Sequence, residues 1–440
     1  MLRTPSVLGL AAATVLALAP ATAQGIDYPE PSKPTGATGK PKGPFKTLQV
    51  GKAKRFKTIN AAVKAAKPGD TIKVADGTYR EGVQIKGSKK RHIKLVGNVL
   101  DPKRVVLDGK GLTGIGAQNG VKIDGADEVT VRGFTATRFR TNGFFVVNAT
   151  GYTLTKLRAM STGVYGVYAF NSKGGTITSS EAAWHNDAGF YIGQTPPQTR
   201  PLRTIVRDVT SYGNVVGFSG TNMRYVTITK SRWFNNGLGI VPNALDSEKF
   251  APPEDNVITD NDIFWNNFNY FAGAPFPLRK GATGEVAYPI GTGVLLFGSR
   301  RTKVIGNRVS GNYLMGVGAI QQLLLKQADA KDLVGNEISG NAFGLGGDFN
   351  GRDLFYDGNG SGNCVGANTG VRVTVPADAS TMAPCPFTGA NAFSSSAQTE
   401  AVNWTVGDPT HEANWVRTPH AARAGLFPLE RYADYKGKKP

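Results

Sequence analysis

The stretch that decides the fold is EAAWHNDAGFYIGQ, residues 181–194, read with VTSYGNVVGFSGTN at 209–222 and SRWFNNGLGIVPN at 231–243. Each ends in a short strand-like run that opens with Gly and an apolar residue. The pattern recurs along the chain as Gly143-Phe144, Gly166-Val167, Gly189-Phe190, Gly217-Phe218, Gly239-Ile240, Gly293-Val294, Gly316-Val317 and Gly344-Leu345. The spacings are 23, 23, 28, 22, 54, 23 and 28 residues. Asn precedes several of these glycines, at 186, 214, 236, 312 and 341. Between them lie further strand-like runs such as VTVRGF at 129–134, YTLTKL at 152–157 and YVTITKS at 225–231.

A period near 23 with two or three short strands is one coil of a parallel β-helix. Each coil points Val, Ile or Phe inward and bonds to its neighbours at a rung spacing of about 4.8 Å. Gly and Asn suit turns that need a positive φ, and Asn amides can stack along the axis. A Leu-rich-repeat horseshoe needs a Leu frame that is absent, and a propeller needs a period above 40. The expected fold is therefore all-β, a right-handed parallel β-helix over 111–350 with an insertion at 244–292. A coil cannot bury its own face, so both ends need caps. Ile59, Ala62, Val63 and Ala66 share one helical face, with Thr58 as N-cap and Pro68-Gly69 as stop. Residues 46–110 read as a basic N-terminal cap with the first coils, and 351–440 as a C-terminal cap and tail.

The 440 residues include 56 Gly, 22 Phe and 14 Tyr but only 19% charged residues. That excludes wholesale disorder, a coiled coil and a helical bundle. The formal charge is +19 and uneven. Residues 24–110 hold 20 Lys and Arg against 7 Asp and Glu, whereas 111–440 hold 30 against 25. A patch of this kind attracts polyanions: acidic polysaccharide, wall phosphate, anionic lipid or nucleic acid. Arg3, the short apolar run Val7–Ala19 and Ala21-Thr22-Ala23 read as a signal peptide over 1–23, followed by a Pro/Gly/Lys linker at 24–45. The expected address is secreted or cell-envelope, with no membrane span. In an oxidising compartment Cys364 and Cys385, the only cysteines, are expected to form a disulfide.

The stretch TINAAVKAAKPGDTIKVADGTYREGVQI, 58–85, resembles the N-terminal segment of secreted right-handed parallel β-helix proteins of the pectin-lyase-like superfamily. DAGFYIGQTPPQ at 187–198, GIVPNALDSE at 239–248 and the GNC…PCP pair around Cys364 and Cys385 resemble a little-characterised bacterial branch of it. The resemblance spans about 46–390. It implies a solenoid acting on an extracellular polysaccharide. The acid and basic motifs of polygalacturonases, the DPH triplet of alginate epimerases and the Asp cluster of pectate lyases are absent.

The residues suggest three groups of candidates. Gln194, Asn222, Asn243, Gln321 and Asp348 stand at the far ends of the repeat strands. Stacked there, they would either read sugar hydroxyls as a substrate-binding row or form an amide ladder at a turn. His185, Asp187 and Tyr191 flank Gly189 as catalytic candidates, His185 as base and Tyr191 as acid. Asp246, Glu248 and Lys249 open the insertion, and the two carboxylates, near Asp187 if the coils stack, could make an acid pair with Asp246 as the catalytic candidate, or offer oxygens to Ca²⁺. Asp348, Asn350 and Asp353 form a second oxygen-rich loop. No other cofactor and no other metal is expected.

The function expected from these readings is binding or processing of an extracellular, acidic polysaccharide, by lyase-type β-elimination if enzymatic, with glycoside hydrolysis second. The alternative is a non-catalytic wall or surface binder docking through its basic N-terminal part, around Lys89, Lys90 and Arg91. The partner is a polysaccharide or other extracellular polyanion, not a specific nucleic acid, and the chain is expected to be a monomer.

Overall fold

The structure is a computed structural model and describes residues 39–268, 289–323, 325–326 and 330–406. The expected signal peptide and most of the linker lie outside these residues. The chain winds into a parallel β-helix with three faces. The third face is one sheet of eleven parallel strands, from Val83–Lys86 to Thr374–Val375. The other two faces run side by side and are joined where the strands Val129–Thr137 and Thr150–Met160 bend from one to the other.

Register explains the repeat. On the third face Val121, Phe144, Val167, Phe190, Phe218, Ile240, Val294, Val317 and Leu354 lie in one line, each opposite the next. All are buried. On the first face the equivalent line is Val131, Leu154, Ile177, Val206, Ile228, Ile258, Val304 and Ile338. Alternate residues of each strand thus fill one continuous core, while their neighbours point outward.

The repeat glycines have a reason different from the expected positive φ. Most of them are extended. A Cβ on Gly217 would stand 2.5 Å from the Gly239 carbonyl oxygen and 2.8 Å from Asn236 Nδ2. A Cβ on Gly293 would stand 2.5 Å from the Gly316 oxygen and 3.0 Å from Asn312 Nδ2. Gly is required because the next coil and its Asn side chain occupy that space.

Those Asn side chains form ladders at the corners between faces. Between the second and third faces, Nδ2 of Asn214, Asn236, Asn266 and Asn312 each donates to Oδ1 of the next, ending at Asn350, at 3.0–3.1 Å. Asn341 belongs to another corner, where Asn261, Asn307, Asn341 and Asn368 are linked at 2.9–3.0 Å. Asn186 lies one residue past its own corner position.

Three expectations change. Gly344-Leu345 is not a repeat unit. Gly344 has φ +64° and starts a short turn, and Leu354 supplies the inward residue of that coil. The 244–292 stretch is not all insertion, because Val257–Thr259 and Asp262–Phe264 pair with the coils above and below, and residues 269–288 lie outside the described residues. The strands also continue past residue 350, to Thr374–Val375.

At the N-terminal end, helix α1 (Ile59–Ala65) buries Ile59, Ala62 and Val63 over the first coils, with Thr58 Oγ1 accepting from Ala61 N. At the other end Cys364 and Cys385 form the expected disulfide, with Cα atoms 4.9 Å apart. Helix α2 (Ser395–Val406) lays Ala397 and Ala401 against the outer surface of the third sheet. Among the described residues no helix is long and apolar enough to cross a membrane.

The close approach between coils predicts that Gly217→Ala destabilises the protein by about 2 kcal/mol, the usual effect of forcing an extra methyl into packed space. Gly116→Ala, where a Cβ meets nothing within 4 Å, should leave stability within about 0.5 kcal/mol. Denaturant midpoints of the two variants test the difference.

Candidate functional site

The outer surface of the third sheet carries the residues that could do chemistry. Register lines up Lys122, Phe145, Tyr168, Tyr191, Ser219 and Val241 on successive rungs. Phe145 and Tyr168 are stacked, with centroids 4.5 Å apart and planes at 8°. Tyr191 lies 4.9 Å from Tyr168 and 4.6 Å from Tyr165. The neighbouring line is Val147, Phe170 and Gly193. Gly193 interrupts this row of bulky side chains. A Cβ there would stand 2.3 Å from the Tyr191 ring and 2.7 Å from Glu248 Oε2. The missing side chain opens the slot that Glu248 enters.

Glu248 arrives on the loop after Asn243, and amides at the turn hold that loop. Asn222 Nδ2 donates to the Leu245 and Glu248 carbonyls, both at 2.8 Å, and Asn222 Oδ1 accepts from Leu245 N at 3.2 Å. Gln194 Oε1 accepts from Lys249 N at 2.9 Å. Gln194 and Asn222 are equivalent turn residues, both with positive φ of 47° and 48°. Asn243 stands one place earlier, opposite Thr221, whose hydroxyl donates to Asn243 Oδ1 at 3.0 Å. These three side chains are buried and fasten backbone and loop. The geometry is that of turn ladder and loop clamp, not of an open row facing sugar.

Gln321 keeps the same turn position further along, where its Nε2 donates to Asp332 and its Oε1 accepts from Gln398. Asp348 does not join the row. It follows the turn at Gly344 and accepts from Trp265 Nε1 at another corner.

Glu248 is partly exposed as a residue, but its carboxyl is withdrawn. Oε1 accepts from the Tyr191 hydroxyl. Oε2 is out of contact with solvent and, among the described residues, has no partner at full hydrogen-bond geometry, although the Gln194 backbone N–H lies near enough to the carboxyl to lower its pKa somewhat. Burial is the main reason that its pKa is pushed up to about 8, and the charge of Asp187 adds to the rise. Tyr191 is raised well above its ordinary value, chiefly by burial and then by Glu248. At neutral pH the site therefore holds a protonated carboxylic acid, a phenol and, half-buried beside them, Asp187.

The pairing differs from the expected one. Asp246 is exposed and its Oδ2 accepts from Lys326 N at 2.6 Å. Glu248, two residues on, is the carboxyl that meets Tyr191. The sequence signal for this was the Gly at 193 in a line of Val and Phe, which only the register makes visible.

His185 is the clearest departure. It is fully buried and continues the Asn214 ladder by one rung. Its backbone N donates to Asn214 Oδ1 at 2.9 Å. Its Nδ1 accepts from Thr162 N at 3.2 Å, and Nε2 lies 3.1 Å from the Ala159 carbonyl oxygen, which it can meet only as an N–H donor. The ring replaces an Asn amide and is held neutral, because burial pulls its pKa down to about 3. It does not reach the Tyr191 site as a base.

Oxygen-rich loops are also engaged. Asp353 Oδ1 accepts from Asn350 Nδ2, and Oδ2 accepts from Arg372 N at 2.7 Å. Among the described residues no group of three His, Cys, Asp or Glu side chains is placed to hold a metal ion.

Residues 119–322 match the family model described as the right handed beta helix region. The match and the sheet topology agree on a right-handed parallel β-helix fold. No curated protein matches its sequence. Among solved structures, the A-module of mannuronan C-5 epimerase AlgE4 from Azotobacter vinelandii is 14% identical with a TM-score of 0.49, over 72% of this chain and 90% of that one. A rhamnogalacturonan lyase is 14% identical with a TM-score of 0.40, over 75% and 84%. An alginate lyase from Paenibacillus sp. is 15% identical with a TM-score of 0.40, over 70% and 99%. At these identities the likeness is one of fold.

The ladder role of His185 yields a pH signature. Its folded pKa of about 3 lies below the ordinary value of 6.5, so the unfolded chain binds the extra proton. Its contribution is intact above about pH 6.5 and declines by about 1.4 kcal/mol per unit as pH falls toward 3. His185→Asn, which restores the ladder group, should fold and lose this acid sensitivity. His185→Ala should be less stable at pH 7 by about 2 kcal/mol, from the unpaired groups left behind. Denaturation of the three proteins at several pH values checks both statements.

Proposed function

We propose that this protein processes an acidic polysaccharide outside the cytoplasm, by β-elimination at the Tyr191–Glu248–Asp187 site. The observation that carries the reading is the Glu248 carboxyl. One of its oxygens is fixed by the Tyr191 hydroxyl, and the other is buried beside Gly193, without a partner at full hydrogen-bond geometry among the described residues. A carboxyl raised to about 8 by burial beside a second carboxyl in a less buried place is the arrangement that separates an acid from a base.

In this reading Asp187 takes the proton from C5 of a uronate. The C5 electrons form the C4=C5 double bond, the C4–O bond breaks, and the leaving oxygen takes its proton from Glu248 Oε2, which the substrate reaches by displacing the loop contacts that shield it. One chain becomes two, an unsaturated uronate and a new end. Tyr191 donates to Glu248 Oε1 and keeps the acidic proton on Oε2. Phe145 and Tyr168 are stacked, Tyr191 stands edge-on to Tyr168 at 85°, and all three are buried, which makes the setting of the Glu248 carboxyl more apolar. The Cys364–Cys385 disulfide suits an extracytoplasmic setting.

The test is turnover of polyuronates and neutral glycans by the mature protein, with and without Ca²⁺. Ultraviolet absorbance of unsaturated uronate and reducing ends are followed in parallel. Rising absorbance on a polyuronate is expected, and Glu248→Gln and Asp187→Asn should each lower its rate by about a hundredfold or more. The rate should fall as pH rises through about 8, where Glu248 loses its proton, and Glu248→Gln should lack that limb. Reducing ends without absorbance would replace elimination by hydrolysis. Silence in both channels across the panel would overturn the proposal.

A further inference from the structure

The N-terminal end of the solenoid has a charge distribution that the site on the third sheet does not use. Residues 39–110 hold 15 Lys and 4 Arg against five acids. Each of those acids is engaged locally. Asp70 is buried and accepts from Lys46 N and Lys67 N at 2.8 and 2.9 Å. Asp76 pairs with Arg104 at 2.8 Å. Glu81 accepts from Ile59 N at 2.7 Å and Asn60 N at 3.0 Å, closing the first turn of α1. Asp101 accepts from Lys103 N at 3.1 Å, and Asp108 pairs with Arg138 at 2.8 Å.

The cations are left on the surface. Lys52, Lys54, Arg55, Lys64, Lys73 and Lys89 are all exposed, and none forms an ion pair among the described residues. Lys90 is an exception with a structural task. Its Nζ donates to the Val63 and Ala66 carbonyls at 2.6 and 2.7 Å, and so caps the C-terminal end of α1. Desolvation there lowers its pKa. It therefore does not belong with Lys89 as a free surface charge.

We infer that this end of the solenoid is a docking surface for an anionic polysaccharide, separate from the Tyr191–Glu248 site. The inference stands on charge and exposure and does not depend on the reaction proposed above. One observation favours a polymer of spaced carboxylates over a nucleic acid: among the described residues of this end, a set of stacking platforms for bases is missing. Among the described residues of this end, Phe45 is the exposed large aromatic, where nucleic-acid surfaces interleave several.

The experiment compares retention of the full mature protein on immobilised polygalacturonate, neutral glycan and duplex DNA across a salt gradient. The variant carries Lys52→Gln, Lys54→Gln, Arg55→Gln, Lys64→Gln and Lys89→Gln, and leaves Lys90 in place. The wild type should bind polygalacturonate at low salt and release it as salt rises, and the variant should bind about tenfold more weakly. Thermal melting of the variant should match the wild type, since every altered side chain is exposed. Glu248→Gln should be retained like the wild type, which separates docking from turnover. Unchanged retention of the folded variant would overturn the inference, as would tighter binding to duplex DNA than to polygalacturonate at equal salt.

Discussion

The rest of this molecule depends on the contact between one coil and the next at the corner before each third-face strand. There an Asn amide donates to the Asn of the adjacent coil at 3.0–3.1 Å. A glycine lies alongside, because any Cβ would strike that amide or the neighbouring carbonyl. A buried polar chain is costly unless every member is paired. Here each amide bonds both its neighbour and a backbone carbonyl, as Asn266 Nδ2 does with Trp233 O at 3.0 Å. Over the coils it joins, the ladder fixes the corner, the corner fixes the register, and the register stacks Phe218 to Leu354 in one line.

That register also makes the candidate site. Because side chains alternate, the line outward of the core carries Phe145, Tyr168 and Tyr191, and the next carries Val147, Phe170 and Gly193. The absent side chain at 193 is filled from 55 residues further along the chain by Glu248. The amides of Gln194 and Asn222 hold the incoming loop. A solenoid can bring such distant residues together because coils adjacent in space differ by one period in sequence, with loops of free length between them. The charged N-terminal end is set apart from this arrangement, with its acids engaged by backbone donors or by Arg104 and Arg138 and most of its lysines turned to solvent.

The sequence by itself determined the architecture. A 23-residue period, an apolar residue after each Gly and Asn before it require rungs, inward lines and corner ladders, whatever the loops do. The capping helix and the Cys364–Cys385 pair were legible for the same reason, since helix caps and an isolated cysteine pair are local signals. Only the tertiary structure decided the chemistry. His185 stands in sequence between a Trp and an Asn like a surface base, yet it occupies a ladder rung. Asp246 and Glu248 are two residues apart and equally acidic on paper. One faces solvent and the other enters the slot at Gly193. Burial and partnership come from coils 23 to 57 residues away, and the pKa of a carboxyl is set by those surroundings rather than by its neighbours along the chain.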